Sequence, residues 1–226
     1  MPFDPRLLPI LTATSDLPAV PPERLQAHWL RQRFAHPPIW QPETQIEAAL
    51  PGSHGTLIPA AVLIPLVLHE NAMTVLLTER AADLPDHAGQ ISFPGGRVEA
   101  NDGSPQHTAL RETAEEIGLH GQQIEVLGTL PDYRTGTGYS VTPVVGLVTP
   151  PLNLQLDHAE VAAAFEVPLH FLTDPQFHQQ REIDFPPLGR RVFHAMPYTD
   201  PLQQREYFIW GATAGMLRNL YFFLLA

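Results

Sequence analysis

The sequence predicts an α+β fold built on a mixed β-sheet or sandwich. Three observations point there. Candidate strands outnumber candidate helices, the helices are few and dispersed, and no repeat period runs through the 226 residues. Apolar residues make up 44% of the chain, enough for a packed core.

Residues 1–57 read as a proline-rich N-terminal extension and residues 58–226 as the main domain. Pro21-Pro22-Glu23-Arg24 opens a helix through about Phe34, because proline suits a first turn and Glu23 suits the N-terminal dipole. HPPIWQPE and PGSHG then break regular structure. The continuous apolar run Ala60–Leu68 is a buried strand, and Thr74–Thr78 is a second one, reached through a turn at Glu70-Asn71. Ile91-Ser92-Phe93 leads into Pro94-Gly95-Gly96, read as a turn. A helix follows over 105–117, with Ser104 as N-cap, Pro105 at the first position and Gly118 closing the C-terminus. Strands are expected at 123–129, 141–148, 161–167, 181–185 and 191–196, and a last helix from Gly211 to the C-terminus.

The charge balance narrows the function. The formal net charge is −11, and all 13 positive charges are arginines. Such a chain will not bind nucleic acid or an anionic membrane through its overall field. An anionic substrate would need a metal ion or a local arginine cluster. Cysteine is absent, which excludes disulfides, thiolate zinc sites and a cysteine nucleophile. The N-terminus MPFDPRLLPI lacks a signal-peptide pattern, and the apolar stretch 210–226 is too short to span a bilayer. The expectation is a cytoplasmic protein with no membrane or nucleic-acid partner. Its oligomeric state is open, a homodimer being one option.

The helix over 105–117 contains RETAEEIGL, with Glu112, Glu115 and Glu116 inside five residues. At about 100° per residue, Leu110, Ala114 and Ile117 form one stripe and the glutamates cluster on the opposite side. Glu112 and Glu116 are an i,i+4 like-charge pair late in a helix, where the dipole disfavours anions. A solvated acidic face is the plain alternative, yet such faces usually interleave basic residues. A hard divalent cation, Mg²⁺ or Mn²⁺, resolves the repulsion, with a carbonyl from the Gly95-Gly96 turn as a further oxygen ligand.

Arg111, Glu112, Glu115, Glu116, Gly118 and Leu119 resemble the second half of the signature of the Nudix hydrolase family. Thr113 stands in its aliphatic place, the spacing from Gly96 to Arg111 is one residue longer than usual, and Asp102 stands where a glutamate is expected. The preceding segment resembles the coenzyme A diphosphatase branch: Leu76-Leu77-Thr78-Glu79-Arg80, Leu84, His87-Ala88-Gly89-Gln90 and Phe93-Pro94-Gly95-Gly96. The resemblance covers roughly residues 58–222 and implies a mixed sheet sandwiched between helices. It also implies hydrolysis of the diphosphate of coenzyme A to adenosine 3′,5′-bisphosphate and 4′-phosphopantetheine.

On that resemblance Glu112 and Glu116 are the first choices as metal ligands, with Glu115 and the Gly96 carbonyl completing or bridging the site. Arg111 would hold the carboxylates through its fork of donors, a plain ion pair with Glu115 being the alternative. Glu160 is the candidate base outside the helix and Asp157 the fallback, against an ordinary loop carboxylate. Arg80 is a candidate for a substrate phosphate, or a surface arginine. Tyr139 either stacks on adenine or fills the sheet, the second being favoured. ADP-ribose, NADH or an oxidised nucleotide are rival substrates, and a non-catalytic nucleotide-binding regulator is the rival class.

Overall fold

The computed structural model describes residues 4–13, 16–43, 56–84, 86–184 and 189–226; the expected break at PGSHG lies outside them. The class is α+β. Twelve described strands form two sheets. The larger sheet contains β2 (Ile58–Leu68), β3 (Met73–Arg80), β4 (Ile91–Ser92), β5 (Gly95–Arg97), β6 (Ile124–Thr129), β7 (Tyr133–Arg134), β8 (Tyr139–Val148) and β9 (Val161–Pro168). The smaller one has the order β1 (Ile10–Ala13), β10 (Gln179–Asp184), β11 (Arg190–Asp200), β12 (Arg205–Trp210). Four α-helices accompany them: α1 (Ala27–Ala35), α2 (Pro105–Ile117), α3 (Leu169–Leu172) and α4 (Gly211–Leu225).

β2 is the spine. Its run is apolar throughout because both faces are covered. Ala61, Leu63 and Val67 face one core, whereas Ala60, Ile64 and Leu66 face the other. β8 runs parallel to it along one edge, from Ile58↔Tyr139 to Val67↔Val148. The other edge is divided. β3 pairs with it only over Leu66–Leu68, and β5 takes Ala60–Val62. β3 pairs with β4 further along at Thr78 and Glu79. The short β4–β5 segment therefore fills the gap where β2 and β3 part.

This corrects the expected turn at Pro94-Gly95-Gly96. Gly95 and Gly96 are extended and hydrogen-bonded into the sheet, because the diverging β2 edge offers partners that a turn would leave unmet. At Gly95 (φ +150°) a Cβ would stand 2.4 Å from the Ala61 carbonyl oxygen, so glycine is required there.

The helix expected from Pro21 to Phe34 is split. A 3₁₀ turn at Pro22–Leu25 is separated from α1 by Gln26, which is extended. Its arginines turn to another helix. Arg24 and Arg33 donate to the carbonyls of Phe223, Leu224 and Leu225 in the last turn of α4, a favourable place for cations. Strands β1, β7 and β12 lie where none was expected. No described helix is long and apolar enough to cross a membrane.

The extension is also tied down by buried charge. Glu43 accepts both arms of the Arg218 guanidinium at 2.8 and 2.9 Å, and His194 lies 3.1 Å from the same carboxylate. Arg218 is 2% exposed and also reaches His178 Nδ1 at 3.1 Å. Burial drives the His178 pKa down to about 4, so this ring is neutral and accepts from the arginine.

Candidate active site

α2 is bounded as the sequence requires. Ser104 accepts from the His107 N–H, and Gly118 closes the helix at φ +68°. The last carbonyls, of Glu116 and Ile117, accept from the N–H groups of Asp157 and Gln155 at 2.9 Å each. That capping carries the 150–160 loop to the end of the glutamate helix.

The helix is rotated relative to the expected stripe. Thr108, Ala109, Thr113, Glu116 and Ile117 are buried, whereas Leu110 and Ala114 are only half-buried. The small Ala109 and Thr113 let the helix come close to β2, which turns Glu116 inward. Thr113, standing in the aliphatic place of the motif, satisfies its hydroxyl on the Ala109 carbonyl at 2.6 Å. The three glutamates therefore do not share one face. Glu116 is 5% exposed, the Glu112 side chain 17% and the Glu115 side chain 60%.

Two glycines meet two of these carboxylates. The Gly95 N–H donates to Glu116 Oε2 at 3.1 Å. A Cβ on Gly96 would stand 2.5 Å from the Glu112 carboxyl carbon, so that carboxylate rests directly on the glycine backbone. Arg111 organises the rest. Its Nε and Nη2 grip Asp102 at 3.1 and 3.0 Å, and Nη2 also reaches Glu112 Oε1 (3.0 Å) and the Arg97 carbonyl (3.2 Å). Its Nη1 donates to Glu115 at 3.0 Å. The Asp102 side chain, 2% exposed, also accepts from the Glu99 N–H and the Thr108 hydroxyl, both at 2.9 Å. Within the same loop the Asp102 N–H donates to the Glu99 carbonyl, closing a turn.

The charges are unevenly matched. The Arg111 guanidinium and the Glu99 N–H hold Asp102 well below the usual carboxylate range. Burial pushes Glu116 up to about 7, against the Gly95 N–H and Arg80, which favour the anion; Glu112 and Glu160 add to the rise. Glu112 is also raised by burial, partly offset by Arg111. A buried and a half-buried carboxylate thus stand one helical turn apart with incomplete neutralisation.

Glu160 precedes β9, and its charge is felt at both Glu112 and Glu116. Asp157 instead accepts from the Ala159 N–H and shapes the loop. Arg80 ends β3 beside them, its N–H bonded to the Gln90 carbonyl, and its buried Nε meets no acceptor among the described residues. Glu115 is drawn outward by Arg111, away from the Glu112–Glu116 pair. Among the described residues no three acidic or histidine side chains converge tightly enough to cage an ion unaided. The available oxygen donors are the Glu112 and Glu116 carboxylates and the β5 backbone.

Tyr139 lies at the start of β8, and its hydroxyl accepts from Nε (3.0 Å) and Nη2 of Arg97, whose guanidinium sits 5.4 Å from the ring centroid. Arg97 was not singled out in the sequence. An exposed arginine after two glycines carries no pattern of its own, and only the pairing of β5 with β2 and of β2 with β8 sets it against Tyr139.

Known proteins provide an independent comparison. The NUDIX domain family matches residues 57–186. The "Uncharacterized Nudix hydrolase NudL" of Cronobacter sakazakii is 42% identical over 162 residues, 71% of this chain and 80% of its own. The protein of that name from Escherichia coli K12 is 40% identical over 161 residues, with the same coverage. Among solved structures, the Nudix hydrolase RenU from M. smegmatis is 25% identical over 51% of this chain and 73% of its own, with a TM-score of 0.44. Matched by that family over more than half its length, and sharing two-fifths of its aligned residues with such relatives, the chain belongs to the NUDIX domain family.

Proposed function

We propose that this Nudix hydrolase cleaves the diphosphate linkage of coenzyme A or its derivatives, with Mg²⁺ or Mn²⁺ as cofactor. The observation that carries the metal is the junction of α2 with β5. There Glu112 rests on Gly96, and the buried Glu116 is held by the Gly95 N–H with its charge incompletely met. Hard oxygen donors of this kind fit Mg²⁺, which is usually bound by one or two carboxylates plus water and substrate phosphates rather than by a full protein cage. Such an ion supplies positive charge against the diphosphate oxygens.

The chain's own groups do the rest. Glu112, Glu116 and the Gly96 carbonyl are the proposed ligands, while Glu115 serves by holding Arg111. Arg111, fixed on Asp102, keeps Glu112 in one orientation. Glu160 takes the proton of the attacking water. The free Nε of Arg80 donates to a phosphate oxygen, which completes its hydrogen bonding on substrate binding. We place this chemistry in residues 58–226, with residues 1–57 as an extension that braces α4 and the smaller sheet.

Coenzyme A is preferred over ADP-ribose and NADH on the stretch from Leu76 to Gly96. The test is turnover of the three side by side with Mg²⁺, with products identified in isotopically labelled water. Adenosine 3′,5′-bisphosphate and 4′-phosphopantetheine are expected; coenzyme A as the poorest of the three overturns the substrate assignment.

A further inference from the structure

The arginines of the site divide into an engaged set and a free one. Arg111 already donates to three carboxylates, those of Asp102, Glu112 and Glu115, and to the Arg97 carbonyl. Its charge is committed to holding the site. Arg97 is different. It is exposed, it stands one residue beyond Gly96, and among the described residues no carboxylate pairs with it.

Arg97 is nevertheless held firmly at both ends. Its carbonyl is bonded to Arg111, and its Nε and Nη2 donate to the Tyr139 hydroxyl. Tyr139 is fixed in turn: its N–H donates to the Thr135 hydroxyl at 3.0 Å and its carbonyl accepts from the Thr135 N–H at 3.0 Å. Binding the phenol oxygen through Nε and one Nη2 hydrogen occupies one edge of the guanidinium. The other edge, Nη1 with the second Nη2 hydrogen, is left as a two-pronged donor. That fork matches two oxygens of a phosphate. A chain of net charge −11 without lysine has few cations to place beside an anionic substrate, and this one is braced in position yet unpaired.

We propose that Arg97, braced by Tyr139, is a specificity-determining residue that binds a phosphomonoester carried by the substrate beyond its diphosphate. This rests on the coenzyme A reading above and deepens it. The group bound is the 3′-phosphate on the adenosine side, and Tyr139 acts as a strut for the arginine, not as a stacking surface for adenine.

The experiment compares coenzyme A with 3′-dephospho-coenzyme A, using wild type, Arg97→Gln and Tyr139→Phe. Losing one charge-assisted, two-pronged contact is expected to raise KM for coenzyme A by about tenfold to a hundredfold, with kcat little changed. KM for the dephospho substrate stays within about threefold, since it lacks the group in question. Tyr139→Phe keeps the ring, loses the acceptor, and shifts the same ratio by a smaller factor. Equal losses on both substrates, or a fall in kcat alone, overturn the role of Arg97 and leave the diphosphatase reading standing. If wild type cleaves neither substrate, the coenzyme A reading falls and this assignment with it.

Discussion

Replacing Glu116 by glutamine tests the central electrostatic claim without disturbing shape. Glutamine keeps an oxygen to accept from the Gly95 N–H, so only the charge is lost. Burial raises the Glu116 pKa from 4.5 to about 7. A carboxyl raised in the folded state favours folding while protonated, and that contribution is lost as pH climbs from 4.5 through 7. At about 1.4 kcal/mol per pH unit, the ionised group costs the metal-free fold about 3 kcal/mol at pH 8 and about 1 kcal/mol or less at pH 5. Denaturant unfolding with a chelator present is therefore expected to show Glu116→Gln more stable than wild type by up to about 3 kcal/mol at pH 8, with little difference at pH 5. Adding Mg²⁺ or Mn²⁺ stabilises wild type at pH 8 and not the variant, and turnover by the variant falls at least about a hundredfold. A gain of equal size at both pH values, or a variant that keeps its turnover, refutes the reasoning.

Gly96→Ala places a Cβ 2.5 Å from the Glu112 carboxyl carbon, at the movable end of a side chain. It is expected to lower kcat by about tenfold or more while shifting stability by about 1 kcal/mol or less, as read from kinetics and melting. Gly95→Ala meets the backbone of Ala61 and Val62 at 2.4 and 2.6 Å, so it is expected to lose about 3 kcal/mol or more and to melt early. Asp102→Asn removes the charge that fixes Arg111, and a fall in kcat of about tenfold or more is expected with circular dichroism unchanged. In α4, Arg218→Met leaves Glu43 without its two-pronged partner; unfolding experiments should show a loss of about 3 kcal/mol. Burial raises the Glu43 pKa, but hydrogen bonds from His194 and Arg218 outweigh it and bring the value to about 2, so this tie is present above pH 4.5 and lost as pH falls toward 2.

Local signals in the sequence were sufficient where the physics is local. The ends of α2 are fixed by Ser104, Pro105 and Gly118, and each acts within one turn of the helix. β2 and β8 are long apolar runs with few alternatives. What stayed hidden depends on partners far along the chain. Gly95-Gly96 looks like a turn until β2 and β3 are known to diverge and leave an edge open. The stripe of α2 was misplaced because a helical wheel weighs hydrophobicity and not closeness of approach. Ala109 and Thr113 pack against the sheet because they are small, and Glu116 is buried with them. Gln26 interrupts the first helix for a distant reason, since Arg24 turns to the C-terminus of α4, two hundred residues on. Asp102 stands one residue out of the usual spacing and in place of a glutamate, so its grip on Arg111 needed the folded loop to be seen.

That rotation of α2 changes the argument for a metal. On an exposed face, two glutamates four residues apart repel by only a few tenths of a kcal/mol, which water and salt absorb. With Glu116 buried and Glu112 resting on Gly96, the penalty is several times larger. Arg111 does not remove it, because Asp102 takes its strongest bonds and Glu115 another. Arg80 is a further cation close by, and its partly unmatched donors suit a phosphate as well as a carboxylate. A diphosphate brought to this site alone would add anion to anion. A divalent ion held by Glu112 and Glu116 would supply the positive charge that offsets both repulsions. The strain in the metal-free protein and its expected affinity for a metal-bound diphosphate are therefore two consequences of one buried glutamate.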